Sequence, residues 1–257
     1  MVVRGENDIW ISGWGEDYSN PIVYPAPIIF HWNGQIIDEY QVFSIQYGVE
    51  FPAMSFVSSK EGWAVIDEDV WHHSSAGWEK DTSLPCDLSD IYFPTQDEGW
   101  IVGGNFIFKY QEGIWIVADS FPFNLTAIDY NAPNDIWVVG DEILRYDGTG
   151  WAVFDSAMSG DDIEVLSLDD IWVARVDSFD LLHWNGSSWE EIDVKCYNLD
   201  FISANDGWIV GDGIWHYDHG DLSKVSPDGI WIFGVDFLNA DYGAAAGDKI
   251  FIYEKKR

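Results

Sequence analysis

Short apolar runs of about five residues follow one another along the whole chain, each closed by Gly, Asn, Asp or Pro. They are rich in Val, Ile, Trp, Tyr and Phe, the residues that fit a pleated surface. No window sustains a 3.6-residue period, so the pattern predicts strands and little helix. The runs come in fours. In the clearest unit they fall at 126–130, 136–140, 143–147 and 151–155, here strands A to D. Strands C and D are joined by Asp147-Gly148, a pair that supplies the positive φ of a tight hairpin.

The unit repeats. Its opening NDIWVVGDE (134–142) recurs as NDIWISGWG (7–15), EGWAVIDED (61–69), DEGWIVGGN (97–105), DDIWVARVD (169–177), NDGWIVGDG (205–213) and ADYGAAAGD (240–248). The aromatic anchors are Trp10, Trp63, Trp100, Trp137, Trp172, Trp208 and Tyr242, spaced by 53, 37, 37, 35, 36 and 34 residues. Seven copies cover nearly the whole chain, and only the first is expanded. One four-stranded antiparallel sheet cannot bury both of its faces, but seven stacked in turn can. The prediction is an all-β, seven-bladed β-propeller forming a single domain over residues 1–257. The anchors then act as wedges between blades, which explains most of the 16 tryptophans and leaves Trp14 and Trp231 outside the register. The chain starts in strand A of the first unit and ends in strand C of the seventh, so the last blade is expected to be three-stranded. Lys255, Lys256 and Arg257 would guard its open edge.

NDIWVVGD with RYDGTGW (134–151), and LLHWNGSSW (181–189), resemble bacterial propeller repeats of the Asp-box (neuraminidase-like) and photosystem-assembly-factor type. The resemblance covers the chain and implies the fold. Such repeats occur in sialidases, lectins, assembly factors and surface proteins, so it implies no single activity. An Asp box carries Ser or Thr two residues before its Asp. Arg145, His183 or His31 stands there in this chain, so the box is degenerate. Sialidases grip their substrate with three arginines, and the four present (Arg4, Arg145, Arg175, Arg257) do not supply that set.

Charge narrows the function. The 257 residues carry 45 Asp and Glu against 12 Lys and Arg, a net charge of −33. That surface repels nucleic acid and anionic membranes. No apolar run approaches the ~18 residues of a membrane-spanning helix, so no membrane insertion is expected. With Met1 as the native start the protein is expected in the cytoplasm; with a signal peptide removed ahead of it, outside the cell or on its surface. Cys86 and Cys196 make neither a disulfide framework nor a metal site, and free thiols are expected.

The A–B turns carry Asp8, Glu61, Glu98, Asp135, Asp170, Asp206 and Asp241, read as turn residues that bond nearby backbone N–H groups. His31, His72, His183 and His216 share one strand C position with Lys109 and Arg145. Spread one per blade, they form an ion-pair slot and not a zinc site. The opposite face is the candidate site. Its B–C loops hold Glu16 and Asp17, Asp67 and Asp69, Asp141 and Glu142, Asp177, Asp212 and Asp248. The expanded first loop (13–30), with Pro21, Pro25 and Pro27, is expected to be extended and stiff and adds Trp14, Tyr18 and Tyr24. This arrangement predicts a non-catalytic binding or scaffold propeller that docks a protein or peptide, basic segments included, with no cofactor and no metal. A lectin-like propeller that binds a glycan is the alternative. A glycoside hydrolase comes third, because abundant carboxylates do not by themselves place a catalytic pair.

Overall fold

The structure is a computed structural model and describes residues 1–16, 25–43, 52–175 and 180–255. These residues hold seven antiparallel sheets and no helix. Blade 1 is β1 (Val2–Gly5), β2 (Asp8–Glu16), β3 (Pro25–Trp32) and β4 (Ile37–Val42). Blade 2 is β5 (Ala53–Ser58), β6 (Glu61–Ile66), β7 (Asp69–Ser74) and β8 (Gly77–Ser83). Blade 3 is β9 (Asp90–Thr95), β10 (Glu98–Gly103), β11 (Phe106–Gln111) and β12 (Ile114–Ser120). Blade 4 is β13 (Leu125–Ala132), β14 (Asp135–Gly140), β15 (Ile143–Tyr146) and β16 (Trp151–Asp155). Blade 5 is β17 (Asp162–Ser167), β18 (Asp170–Arg175), β19 (Asp180–Trp184) and β20 (Trp189–Ile192). Blade 6 is β21 (Cys196–Ser203), β22 (Asp206–Gly211), β23 (Gly213–Asp218) and β24 (Asp221–Lys224). Blade 7 has only β25 (Ile232–Asn239), β26 (Tyr242–Gly247) and β27 (Ile250–Glu254). Strands follow chain order within each sheet.

The chain falls into two compact units, Met1–Ala118 and Asp119–Arg257. In the first, Trp10 stacks on Phe56 of the next blade at 4.6 Å and Trp63 on Phe93 at 3.7 Å. In the second, Trp172 stacks on Phe201 at 4.7 Å and Trp208 on Phe237 at 4.5 Å. All six anchor tryptophans are buried. Trp10, Trp63, Trp172 and Trp208 therefore remove their large apolar surface from water against the adjoining sheet of their own unit, as the 36-residue spacing predicts.

The motif also explains its own turn chemistry. Gly148 has φ +89°, and a Cβ there would lie 2.6 Å from Asn134 Cγ. The Asn of the A–B turn therefore packs against the Gly of the C–D turn, as Asn7 does against Gly34 in blade 1.

Blade 7 corrects one assignment. Trp208 pairs with Asp200 on strand A and His216 on strand C. The residue in that register in blade 7 is Ala244, which pairs with Asp236 and Ile252. Tyr242 stands two positions earlier, opposite Asn239 at the turn. The expanded first loop is also corrected. β2 and β3 continue as a hairpin to the Glu16–Pro25 pair. Pro25 and Pro27 fit there because β4 begins its pairing only at Ile28, so neither has to donate to a third strand. At the chain end, Lys255 Nζ lies 3.5 Å from Asp241, while Lys256 and Arg257 lie outside the described residues.

Candidate functional site

One acid–base–indole triad recurs on the A–B side of the blades. Asp8, Glu61, Asp170 and Asp206 meet His31, His72, His183 and His216 at 2.7–3.0 Å. Glu98 meets Lys109 at 3.3 Å and Asp135 meets Arg145 at 2.7 Å. Each base lies over its anchor ring: His183 stacks on Trp172 at 4.0 Å, and Lys109 Nζ stands 4.6 Å from the Trp100 centroid. The indoles of Trp137 and Trp172 donate to Asp135 and Asp170. The turn carboxylates are thus structural, but through side chains rather than through backbone N–H groups. These pairs lock the anchors in place and leave the histidines committed.

On the B–C side the predicted acids have different neighbours. Asp141 accepts from Asn124 N at 3.0 Å, and Asp248 from Trp231 N at 2.9 Å, so both close the link that enters their own blade. Asp69 pairs with Lys80 at 2.7 Å and accepts from the Ser83 hydroxyl. Asp212 lies 3.6 Å from Lys224. Glu142 follows Asp141 in the turn, where its carbonyl accepts from Gly140 N. Asp67 differs. It has φ +52°, and its carbonyl accepts from Leu88 N of the next link. Burial, and then the charges of Glu68, Asp87 and Asp69, push its carboxyl above the usual range. Asp67, Glu68, Asp69 and Asp87 are the acids that the fold brings together; Lys80 answers only Asp69. Trp14 and Glu16 lie on β2, and Asp17, Tyr18, Tyr24 and Asp177 lie outside the described residues.

Two features escaped the sequence reading. The first is a run of acids in the middle of strand A in the second unit: Asp129, Glu164, Asp200 and Asp236. β13, β17, β21 and β25 contact one another in turn. Asp129 accepts from Val165 N of the next blade at 2.8 Å, and Asp200 from Phe237 N at 2.7 Å. Asp162 accepts from Leu199 N and from Asn198 Nδ2. Burial first, and then their mutual repulsion, drives Glu164 and Asp200 well above the ordinary carboxylate range. Burial raises Asp129 and Asp162 to about 6. Asp129, Asp162 and Asp200 staple adjacent innermost strands. Their signal was an acid inside an apolar run, where strand propensity disfavours it.

The second feature is an aromatic platform. Trp231 is 37% exposed and lies 5.9 Å from Tyr197, which lies 5.3 Å from Phe233. Lys195 Nζ stands 5.5 Å from the Trp231 ring. Its signal was that Trp231 falls outside the repeat register. Cys86 and Cys196 are free thiols. No group of three or more His, Cys, Asp or Glu among the described residues forms a metal site.

Fold and repeat together define a seven-bladed β-propeller whose last blade has three strands. No protein-family model and no curated protein matches the chain. Among solved structures it is similar to YCF48 bound to D1 peptide, with a TM-score of 0.70, 13% identity, and coverage of 99% of this chain and 92% of that one. It is similar also to YCF48 from Cyanidioschyzon merolae (TM-score 0.66, 12% identity, 95% and 98% coverage). A third likeness is to U3-55K (TM-score 0.67, 10% identity, 87% and 84% coverage). At these identities the likeness concerns the fold.

Proposed function

We propose that this protein is a non-catalytic binding propeller that docks a basic protein or peptide segment on its B–C loops. One observation carries the reading: Asp67 is held among Glu68, Asp69 and Asp87 with its carboxyl raised by burial and by those charges. A Lys or Arg from a partner would relieve that crowding at close range. The fold neighbour bound to a peptide supports the class of partner.

The test is titration with fluorescein-labelled decalysine at 150 mM salt. The triple variant Asp67→Asn, Glu68→Gln, Asp87→Asn should weaken binding more than tenfold. Glu79→Gln, Glu112→Gln, Glu190→Gln changes the charge equally on exposed strand and turn positions, and should weaken it less than twofold. Equal losses would reduce the interaction to net charge and remove the site. The glycan-binding reading rests on the exposed Trp231 platform. Glycan-array binding that Trp231→Ala abolishes would favour it over the peptide.

A further inference from the structure

In the clefts between blades the same aromatic cluster recurs, and its last member comes from the fourth strand. Trp10, Phe56 and His73 are joined by Trp78 of β8, whose ring lies 6.0, 5.8 and 5.1 Å from theirs. Trp63, Phe93 and Tyr110 are joined by Trp115 of β12, 5.7 Å from Phe93 and 5.1 Å from Tyr110. Between blades 5 and 6, Leu222 of β24 packs on the cluster that holds Trp172 and Phe201, and pairs with Tyr217.

Between blades 6 and 7 the first three members are in place. Trp208 stacks on Phe237 at 4.5 Å, and Tyr253 lies 5.0 Å from Trp208 and 5.6 Å from Phe237. Among the described residues there is no fourth strand and no fourth member. A cavity of about 340 Å³ lies here, lined by Trp208, Ile214, Val225, Ala245, Phe251 and Tyr253 among others. Ala245 enlarges it, since blades 4 and 5 carry Val138 and Val173 at that position. Along the open edge, Ile250 and Ile252 of β27 are 48% and 42% exposed.

We propose that β27 accepts a fourth strand in trans. An extended segment of a partner protein pairs antiparallel with β27 and sets a Trp or a similarly bulky apolar side chain opposite Tyr253, with Lys or Arg flanking it. Antiparallel pairing is what joins strands C and D in blades 1, 2, 4, 5 and 6. Main-chain bonds to an open edge supply affinity, and the pocket supplies selectivity. Among the described residues, no strand of the chain is left over to fill the gap. A second copy would bring a net charge of −33 against −33, whereas a cationic segment complements it. The proposal shares with the reading above only the class of partner, because the surface is a different one.

The probe is a labelled peptide, KKGIWIVAKK, that copies the sequence at the start of β12 between lysine pairs. Its twin carries Ala for Trp. By anisotropy at 150 mM salt, the Trp peptide should bind at least tenfold tighter. Ala245→Leu, which fills the cavity, should abolish that difference while raising the Tm. Ala245→Val is the milder second variant and should reduce it. The blade 2 triple variant should leave the difference intact, so failure of the acidic-loop reading and failure of this one are distinguishable. Equal binding of the two peptides, or a difference that survives both Ala245 variants, overturns the proposal. So does a concentration-dependent dimer that Ala245→Leu dissolves, which would assign the cleft to a second copy.

Discussion

Raising the pH from 4.5 to 8 should destabilise this protein, and the innermost strands of blades 4 to 7 say why. Asp129 and Asp162 titrate near 6 when folded, against an ordinary 3.8. Glu164 and Asp200 also lie well above their ordinary values. A raised carboxyl holds its proton more tightly in the folded state. The stability it contributes is full below about pH 3.8 and is lost as the pH climbs through the folded value near 6. From pH 4.5 to the folded value near 6 is about 1.5 units, which at ~1.4 kcal/mol each gives about 2 kcal/mol for a group such as Asp162. These acids keep some contact with water, which screens part of that penalty, so a total loss of ~2–4 kcal/mol is expected. Acids with lowered values act on the other flank. At Asp135, burial is outweighed by hydrogen bonds from Arg145 and Asn131, and that contribution is lost only as the pH falls below the usual carboxylate range. Urea unfolding followed by circular dichroism at pH 4.5, 6 and 8 measures the effect. Adding 0.5 M NaCl suppresses the diffuse repulsion of a −33 chain and leaves the enclosed groups. Glu164 accepts no hydrogen bond from the described residues, so Glu164→Gln removes its charge at little other cost. It should stabilise at pH 8 and change nothing at pH 4.5. Stability that is flat or rising from pH 5 to 8 in high salt would show that these carboxyls hold no extra proton in the folded state.

Two further outcomes follow from the same geometry. Asp135→Ala strips a partner from Arg145, Asn131 and the Trp137 indole at once, and should cost ~2 kcal/mol in urea unfolding; a loss under 0.5 kcal/mol would mean the triad is ornamental. Cys196 is fully buried and burial pushes its thiol up, so a thiol reagent should modify it only on unfolding, while the half-buried Cys86 reacts earlier. Equal rates would contradict the burial of β21.

What could be read from the sequence was whatever repeats as a bulky or turn-forming residue. Trp in strand B and Gly in the C–D turn recur about every 36 positions because each blade must fill the same gap and turn the same corner. Position in the last blade was misread at Tyr242 because Ala244 carries no aromatic signal, and the nearest aromatic drew the assignment two residues away. The hairpin over residues 13–16 and 25–28 was hidden by its prolines, which are legible as strand only once β4 is known to stop short of them. The predicted B–C acids resolved residue by residue. Asp141 and Asp248 went to backbone N–H groups and Asp69 to Lys80, while Asp67 lies half-buried beside Glu68 and Asp87. Pairing partners depend on which loop meets which link, and a single sequence does not encode that locally.

If the recurring tryptophans are wedges between blades, truncating one costs far more stability than truncating an exposed tryptophan outside the repeat register. Trp172 and Trp231 test it directly, since the first is 2% exposed beneath His183 and Phe201 and the second is 37% exposed. By urea unfolding, Trp172→Ala should cost ~3–5 kcal/mol and Trp231→Ala less than about 1 kcal/mol. Equal losses, or a larger one at Trp231, would contradict the account.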